Sequence, residues 1–331
     1  MTTTAQPPAT PVQPVSPGEP ERPVAPPKVV QRPGDRVFSG STLAAGILIL
    51  VTLAAVAIFL VAQSLPAFTA DESDIKGDAT NFLSYVWPLV FGTVWAAFIA
   101  LIIAVPLAIM VALFITHYAP RRLAQSLGYV IDLLAAVPSV VYGLWGIGVL
   151  APAVQPVYSW LVENLGWFPL FAGPVSGTGR TILTVGIVLA VMILPIITSL
   201  SREIFLQTPK LHEEAALALG ATRWEMITIA VLPFGRPGIV SASMLGLGRA
   251  LGETMAVAMV LSPSLIVSLV LLQSQNPNTI AANIALNFPE AHGVGVNMLI
   301  ASGLILFVIT FVVNFISRSI VDRRKAFSGA N

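Results

Sequence analysis

The sequence predicts an all-α integral membrane protein with six transmembrane helices, and three observations carry that expectation. Of 331 residues, 56% are hydrophobic and 10% charged, against about 25% charged in a soluble domain. Six apolar runs approach or exceed the roughly 20 residues that a helix needs to span the hydrocarbon core. Lysine and arginine fall on one set of connections if the crossings number six, and this sorting breaks down with five or seven.

Residues 1–36 hold ten of the 26 prolines and few large apolar side chains. Such a segment buries too little surface to offset its ordering entropy, so it is expected to be a disordered cytoplasmic tail. The crossings follow over residues 43–65, 86–116, 127–150, 181–201, 239–261 and 293–317. The second lies in the uncharged run Phe82 to Thr116 with Trp87-Pro88 at its entry, and the third contains Asp132. Tyr158 to Phe171 and Leu265 to Leu272 are expected to be interfacial or re-entrant, the latter being too short to cross. Residues 37–325 form the membrane domain, with a cytoplasmic loop over 202–238 and a short tail over 326–331.

Arg22, Lys28, Arg32 and Arg36 precede the first crossing, and Arg121 and Arg122 follow the second. Arg202, Lys210, Arg223 and Arg236 lie between the fourth and fifth, and Arg318, Arg323, Arg324 and Lys325 follow the last. The opposite connections hold Asp71, Glu72, Asp74 and Asp78 against Lys76, then Glu163 with Arg180, then Glu290. Both termini are therefore expected in the cytoplasm.

Composition also excludes. A net charge of +1 spread over few charges leaves no large basic face for nucleic acid. The absence of cysteine rules out disulfides and thiolate metal sites, and His117, His212 and His292 show no metal-ligand spacing. No G-x-x-x-x-G-K-[ST], H-E-x-x-H or G-x-S-x-G occurs, so neither nucleotide hydrolysis nor hydrolase chemistry is expected of the chain.

Two polar features stand out. GLGRALGETMAVAMV places Arg249 and Glu253 four residues apart, which on a continuous helix is one turn on the same face, deep in a crossing. A central charge there costs about 2.5–3.5 kcal/mol on insertion scales, so such residues face the bundle or a water-filled path. A guanidinium suits a tetrahedral oxyanion, and Glu253 is placed to hold it or to accept a proton from a protonated ligand. Gly246, Gly248 and Gly252 permit close approach of a helix or a ligand. In AAVPSVVYG, Ser139 and Tyr142 offer hydroxyl donors to a path, with packing the competing explanation. Asp132 is expected to cap or snorkel.

The second feature is PKLHEEAALALGATRWEMITIAVLP, residues 209–233. Thr208-Pro209 reads as an N-cap and first helical residue, and Gly220 as a stop. Thr222-Arg223-Trp224-Glu225 has capping-box spacing, and Pro233 is expected to end or kink the helix that follows. The residues alone leave two transport readings open. One is a permease driven by a separate ATPase; the other is an ion-coupled secondary transporter or channel for an oxyanion such as sulfate or molybdate, with Arg249 and Glu253 as relay.

This insert resembles the EAA loop of ABC importer permeases, with the pattern E-A-A, three residues, G, nine residues, I, one residue, L-P. Glu214-Ala215-Ala216, Gly220 and Leu232-Pro233 fit it, and the family's isoleucine falls on Ala230. GRALGETMAV from Gly248, ALGAT around Gly220 and VPSVVYGLWG from Val137 further resemble PstC-type permeases of phosphate importers, over roughly Leu43 to Arg324. The resemblance implies a type I ABC importer permease fold with a cytoplasmic coupling helix, and a substrate path lined by Arg249 and Glu253, beside the Ser139 and Tyr142 suggested above. It also implies ATPase coupling through the loop bearing Glu213, Glu214, Ala215, Ala216, Gly220, Leu232 and Pro233. The implied function is ATP-driven phosphate import. The implied partners are a PstA-like second permease, a PstB-like ATPase dimer that binds the ATP and magnesium, and a PstS-like phosphate-binding protein outside the membrane.

Overall fold

The computed structural model describes residues 33–70 and 79–325. The expectations for residues 1–32, for the acidic cluster Asp71 to Asp78 and for residues 326–331 lie outside the described residues. The chain divides into two units, Met1–Ala55 and Val56–Asn331. Helix α1, Pro33–Phe68, begins four residues inside the span expected to be tail, with proline at the start, where its missing N–H costs nothing. In the first unit its described residues are exposed on every side, as befits an apolar helix whose solvent is lipid.

The second unit is built on α2, Phe82–Leu113, and α6, Ile182–Leu206. Ala96, Ala100, Ala104, Ala108 and Ala112 recur at every fourth position of α2, and each is at most 1% exposed. This small-residue stripe lets backbones approach closely. Ile99 and Ala100 lie over Gly186 of α6, and Leu113 shares a cluster with Phe205. The two helices therefore run in the same direction, as second and fourth crossings must. α9, Leu232–Leu251, runs antiparallel to α6, with Gly235 against Phe205 and Gly246 against Ile197.

Among the described residues, six helical stretches are long and apolar enough to cross a membrane: Pro33–Phe68, Phe82–Tyr118, Ser139–Leu165, Ile182–Leu206, Arg223–Leu251 and Val294–Ser319. The third departs from expectation. Residues 127–150 do not form one helix, because Pro138 disfavours helical backbone at the residue before it. Amphipathic α3, Arg121–Ala135, ends there, and α4, Ser139–Trp145, starts anew with Pro138 as N-cap. The crossing continues through a π turn, Gly146–Leu150, into α5, Ala151–Leu165. Tyr158, expected at the interface, is thus inside the crossing, and its hydroxyl bonds that of Thr184 at 3.0 Å. Asp132 lies on α3, paired with Arg202 at 3.7 Å and accepting from Ser199 at 3.0 Å.

The fifth crossing is broken. α9 stops at Leu251, and α10, Met255–Val260, resumes after Gly252, Glu253 and Thr254. Beyond it, β1, Pro263–Ser264, pairs in parallel with β2, Asn276–Pro277. α11, Ile280–Asn287, then packs on the first turns of α2 and on α12, Val294–Lys325. The carbonyl oxygens of Pro277 and Asn278 occupy the space that a Cβ on Gly92 of α2 would need. The Thr93 hydroxyl accepts from the Ile280 N–H at 2.9 Å, and the Tyr85 hydroxyl accepts from Asn283 at 2.7 Å.

Candidate functional site

Arg249 and Glu253 flank the break in the fifth crossing. The expectation of one continuous helix carrying both on one face does not hold, since Glu253 lies past the end of α9. No ion pair joins them: the Glu253 carboxylate turns forward, accepting the Ala256 N–H through Oε1 at 3.1 Å and capping α10. Glu253 is 8% exposed, and Arg249 is half-buried with no ion-pair partner among the described residues. Gly246, one turn earlier, lies over Ile197 and close to Ile193, about midway along α6. The unpaired guanidinium therefore sits near mid-depth of the bundle. The glycines divide the work, since Gly246 meets α6 whereas nothing lies within 4 Å of the Cβ position at Gly248.

The VPSVVYGLWG run forms the wall opposite. Gly143 lies against Ala256 and Met259, and Gly146 against Val260 and Val188, so α4 is the surface on which α10 rests. Tyr142 is within electrostatic reach of Arg249, but its hydroxyl donates to the Leu134 carbonyl at 2.9 Å and is not free for a ligand. Ser139 is half-buried at the first position of α4. The break thus collects Arg249, Glu253 and the Tyr142 ring, with Tyr142 a structural tie as well as a neighbour.

What braces the far side of the break has no signature in the sequence. Arg180, one residue before the N-cap of α6, donates to the carbonyl oxygens of Met259, Val260 and Leu261 at 3.2, 3.3 and 2.8 Å. These are the carbonyls that the end of α10 leaves without helical partners. Asn276, fully buried, accepts from the Ile182 N–H at 2.9 Å and donates to the carbonyl of Arg180 at 3.3 Å. An arginine at a helix start and an asparagine in a polar loop carry no spacing that would reveal either contact.

The second site lies at the other end of the bundle. α7, Lys210–Ala218, is N-capped by Pro209 and not by Thr208, whose buried hydroxyl makes no hydrogen bond. Gly220 ends it at φ +85°, with the Gly220 and Ala221 N–H groups donating to the carbonyls of Leu217 and Ala216. That is a Schellman turn, in which a left-handed residue such as glycine is required. The capping box of α8, Arg223–Met226, forms as expected: the Thr222 N–H donates to Glu225 at 2.7 Å and the Glu225 N–H to Thr222 at 3.3 Å. Pro233 does not end the helix. A π turn, Ile227–Val231, precedes it, and α9 continues through both Pro233 and Pro237. Ala216 and Leu232 pack on one cluster, formed by Ala112, Leu113, Phe205, Met226, Ile227 and Val231. Ile227, 0% exposed, brings an isoleucine into this cluster, while the position of the motif's isoleucine is Ala230 in this chain. Glu213 is partly exposed and faces His117, while Glu214 and Ala215 are on the exposed side.

With this geometry in place, comparison with known proteins decides the family. Residues 104–326 match the binding-protein-dependent transport system inner membrane component family. The chain belongs to this family. A phosphate transport system permease protein, PstC 2, of Mycobacterium tuberculosis is 46% identical over 310 residues, covering 87% of this chain and 92% of that protein. PstC of Mesorhizobium japonicum is 42% identical over 307 residues, covering 89% and 92%. Among solved structures, a chain of a bacterial ABC transporter involved in alginate import superposes with TM-score 0.58 at 18% identity, covering 88% of this chain and 96% of that one. This likeness gives the type I ABC importer permease fold. Membership sets aside the ion-coupled transporter or channel, and this inner membrane transport component is a multi-pass permease subunit.

Proposed function

We propose that this permease forms part of the path by which inorganic phosphate is imported, driven by ATP hydrolysis on a partner subunit. The observation that carries the proposal is the half-buried Arg249 guanidinium, without an ion-pair partner among the described residues, at the break of the fifth crossing. A planar cation with several donors matches a tetrahedral oxyanion. The Mycobacterium and Mesorhizobium relatives are named as phosphate permeases, which selects phosphate among such anions. Glu253 supplies an acceptor that protonated phosphate satisfies and fully ionised sulfate does not. Ser139 and the Tyr142 ring complete the wall.

Coupling is assigned to α7 and its flanks: Glu213, Glu214, Ala215, Ala216, Gly220, Leu232 and Pro233. None of the α7 side chains is fully buried, and Leu211 and Leu219 at its ends are 73% and 90% exposed. Apolar side chains on a short polar connection suit a groove on another protein. The docking partner is a PstB-like ATPase dimer, which holds the nucleotide and magnesium. A PstA-like permease completes the pore, and a PstS-like binding protein delivers phosphate. Motion at α7 reaches Arg249 through α9, since the roughly 16 residues from Pro233 to Arg249 are continuous helix, about 24 Å long. Both termini and α7 lie on the cytoplasmic side, in keeping with Arg121, Arg122, Arg202, Lys210, Arg223 and Arg236.

The test is uptake by the reconstituted complex. Labelled phosphate should enter proteoliposomes only when ATP is on the α7 side, and excess sulfate should not compete. Uptake without an ATPase subunit, or equal uptake of sulfate, contradicts the proposal.

A further inference from the structure

α7 is tied to α6 through Gln207, Thr208 and Pro209, and it packs against α8 and the π turn Ile227–Val231, its own continuation. These connections carry its motion to α6 and α9, and Ala216 adds an apolar contact with the cluster that includes Ala112 and Leu113. One polar contact reaches a different crossing: the Glu213 carboxylate lies 3.8 Å from Nε2 of His117, in the π turn Phe114–Tyr118 that ends the second crossing. The His117 side chain is 9% exposed and that of Glu213 25%, so the contact is largely sheltered from bulk water, where an ion pair holds better than at the surface.

The hydrogen bonds around the ring define when it can act. The Thr116 hydroxyl donates to the Ala112 carbonyl at 2.9 Å and lies 2.7 Å from His117 Nδ1. Which of the two donates is set by the ring's tautomer; the imidazolium carries a proton on both nitrogens, so it donates from Nδ1 to Thr116 and turns an Nε2–H toward Glu213. The charged groups on the surrounding elements are Arg121, Arg122 and Asp132 on α3, Arg202 and Glu203 on α6, and Lys210, His212, Glu213 and Glu214 on α7. Arg202 is held by Asp132, and of the whole set Glu213 is the one whose charge reaches the ring.

We infer that His117 and Glu213 form a strut that carries the movement of α7 into the second crossing, so that one motion drives both α2 and α9. His117 is a positioning residue. It touches neither phosphate nor nucleotide and acts through Glu213. Because α2 and α6 pack along their length through the alanine stripe and Gly186, the strut delivers motion to the pair of helices at the centre of the unit. The inference rests on the assignment of α7 as the coupling helix.

The experiment uses the complete complex in proteoliposomes and reads phosphate imported per ATP hydrolysed, with ATPase co-purification as a separate readout. His117→Ala should lower the ratio about three- to tenfold while the ATPase still co-purifies and hydrolyses ATP, and Glu213→Gln should lower the ratio at least as far. Combining them should cause no further loss, because one contact is removed twice. The exchange His117→Glu with Glu213→Lys should recover most of the ratio, which a merely space-filling role would not allow. A wild-type ratio in both single variants overturns the strut, and so does failure of the exchanged pair to recover, including the case where the single variants assemble poorly. Gly220→Arg separates the two assignments. If it leaves ATPase co-purification and uptake intact, the coupling helix itself is misassigned and the strut falls with it. If Gly220→Arg uncouples while His117→Ala does not, the strut alone is wrong.

Discussion

Arg180 closes the end of the broken fifth crossing beyond α10, donating from its guanidinium to the Leu261 carbonyl at 2.8 Å, with the carbonyls of Met259 and Val260 sharing the same cation. The contact joins the start of the fourth crossing to the end of α10. It therefore holds the far side of the gap in which Arg249 and Glu253 lie.

Replacing Arg180 by glutamine removes most of these bonds and leaves carbonyls without partners where water is scarce, a loss of about 1–3 kcal/mol. Arg180→Gln should unfold in detergent at a clearly lower temperature than the wild type, as followed by tryptophan fluorescence. An unchanged midpoint would show that α10 does not depend on this anchor.

Gly92 sits where the carbonyls of Pro277 and Asn278 cross α2, whereas the Cβ position at Gly248 faces open space. Gly92→Val should drive the 276–287 segment off α2, at about 1–3 kcal/mol or more, and lower the yield of folded protein in membranes. Gly248→Ala should leave that yield unchanged. Equal yields would mean that the loop does not pack on α2 as described.

Gly220 occupies φ +85° with its Cβ position unobstructed, so the cost of a side chain there is conformational. Gly220→Ala should cost about 1–2 kcal/mol and Gly220→Asn less, because asparagine tolerates the left-handed region. Phosphate uptake and ATPase co-purification should decline in the order Gly, Asn, Ala. Indifference to all three would remove the Schellman turn from the coupling mechanism.

Glu253 has two tasks, capping α10 through Oε1 and presenting an acceptor to the anion. Glu253→Gln keeps a carbonyl oxygen for the Ala256 N–H, so the fold should persist while discrimination between phosphate and sulfate falls. Glu253→Leu should lose both. Competition uptake alongside thermal unfolding separates the two effects, and a glutamine variant that still excludes sulfate would assign Glu253 to structure alone.

The apolar runs made the crossings legible, because length and hydropathy act locally along the chain. The turn chemistry of Gly220 and of Thr222 with Glu225 was legible for the same reason. What the sequence concealed depends on partners far away in the chain. Pro138 splits the expected third crossing, and proline tolerance depends on what receives the freed backbone groups, as Pro233 and Pro237 inside an unbroken helix demonstrate. The separation of Arg249 from Glu253 was hidden likewise. Four residues apart is one turn only while the helix lasts, and α9 ends between them, with Arg180, Gly143 and Gly146 supporting a second helical piece beyond the gap.

In the proposed function, the Arg249 guanidinium meets the transported anion while ATP is hydrolysed elsewhere. The most direct measurement is ATP-driven uptake of labelled phosphate by the complete complex carrying Arg249→Gln, with ATPase activity read in the same proteoliposomes. Uptake should fall at least about tenfold, the effect of losing a charged hydrogen-bonding partner worth about 1.5–3 kcal/mol, with ATP hydrolysis retained. Wild-type uptake by Arg249→Gln would contradict it.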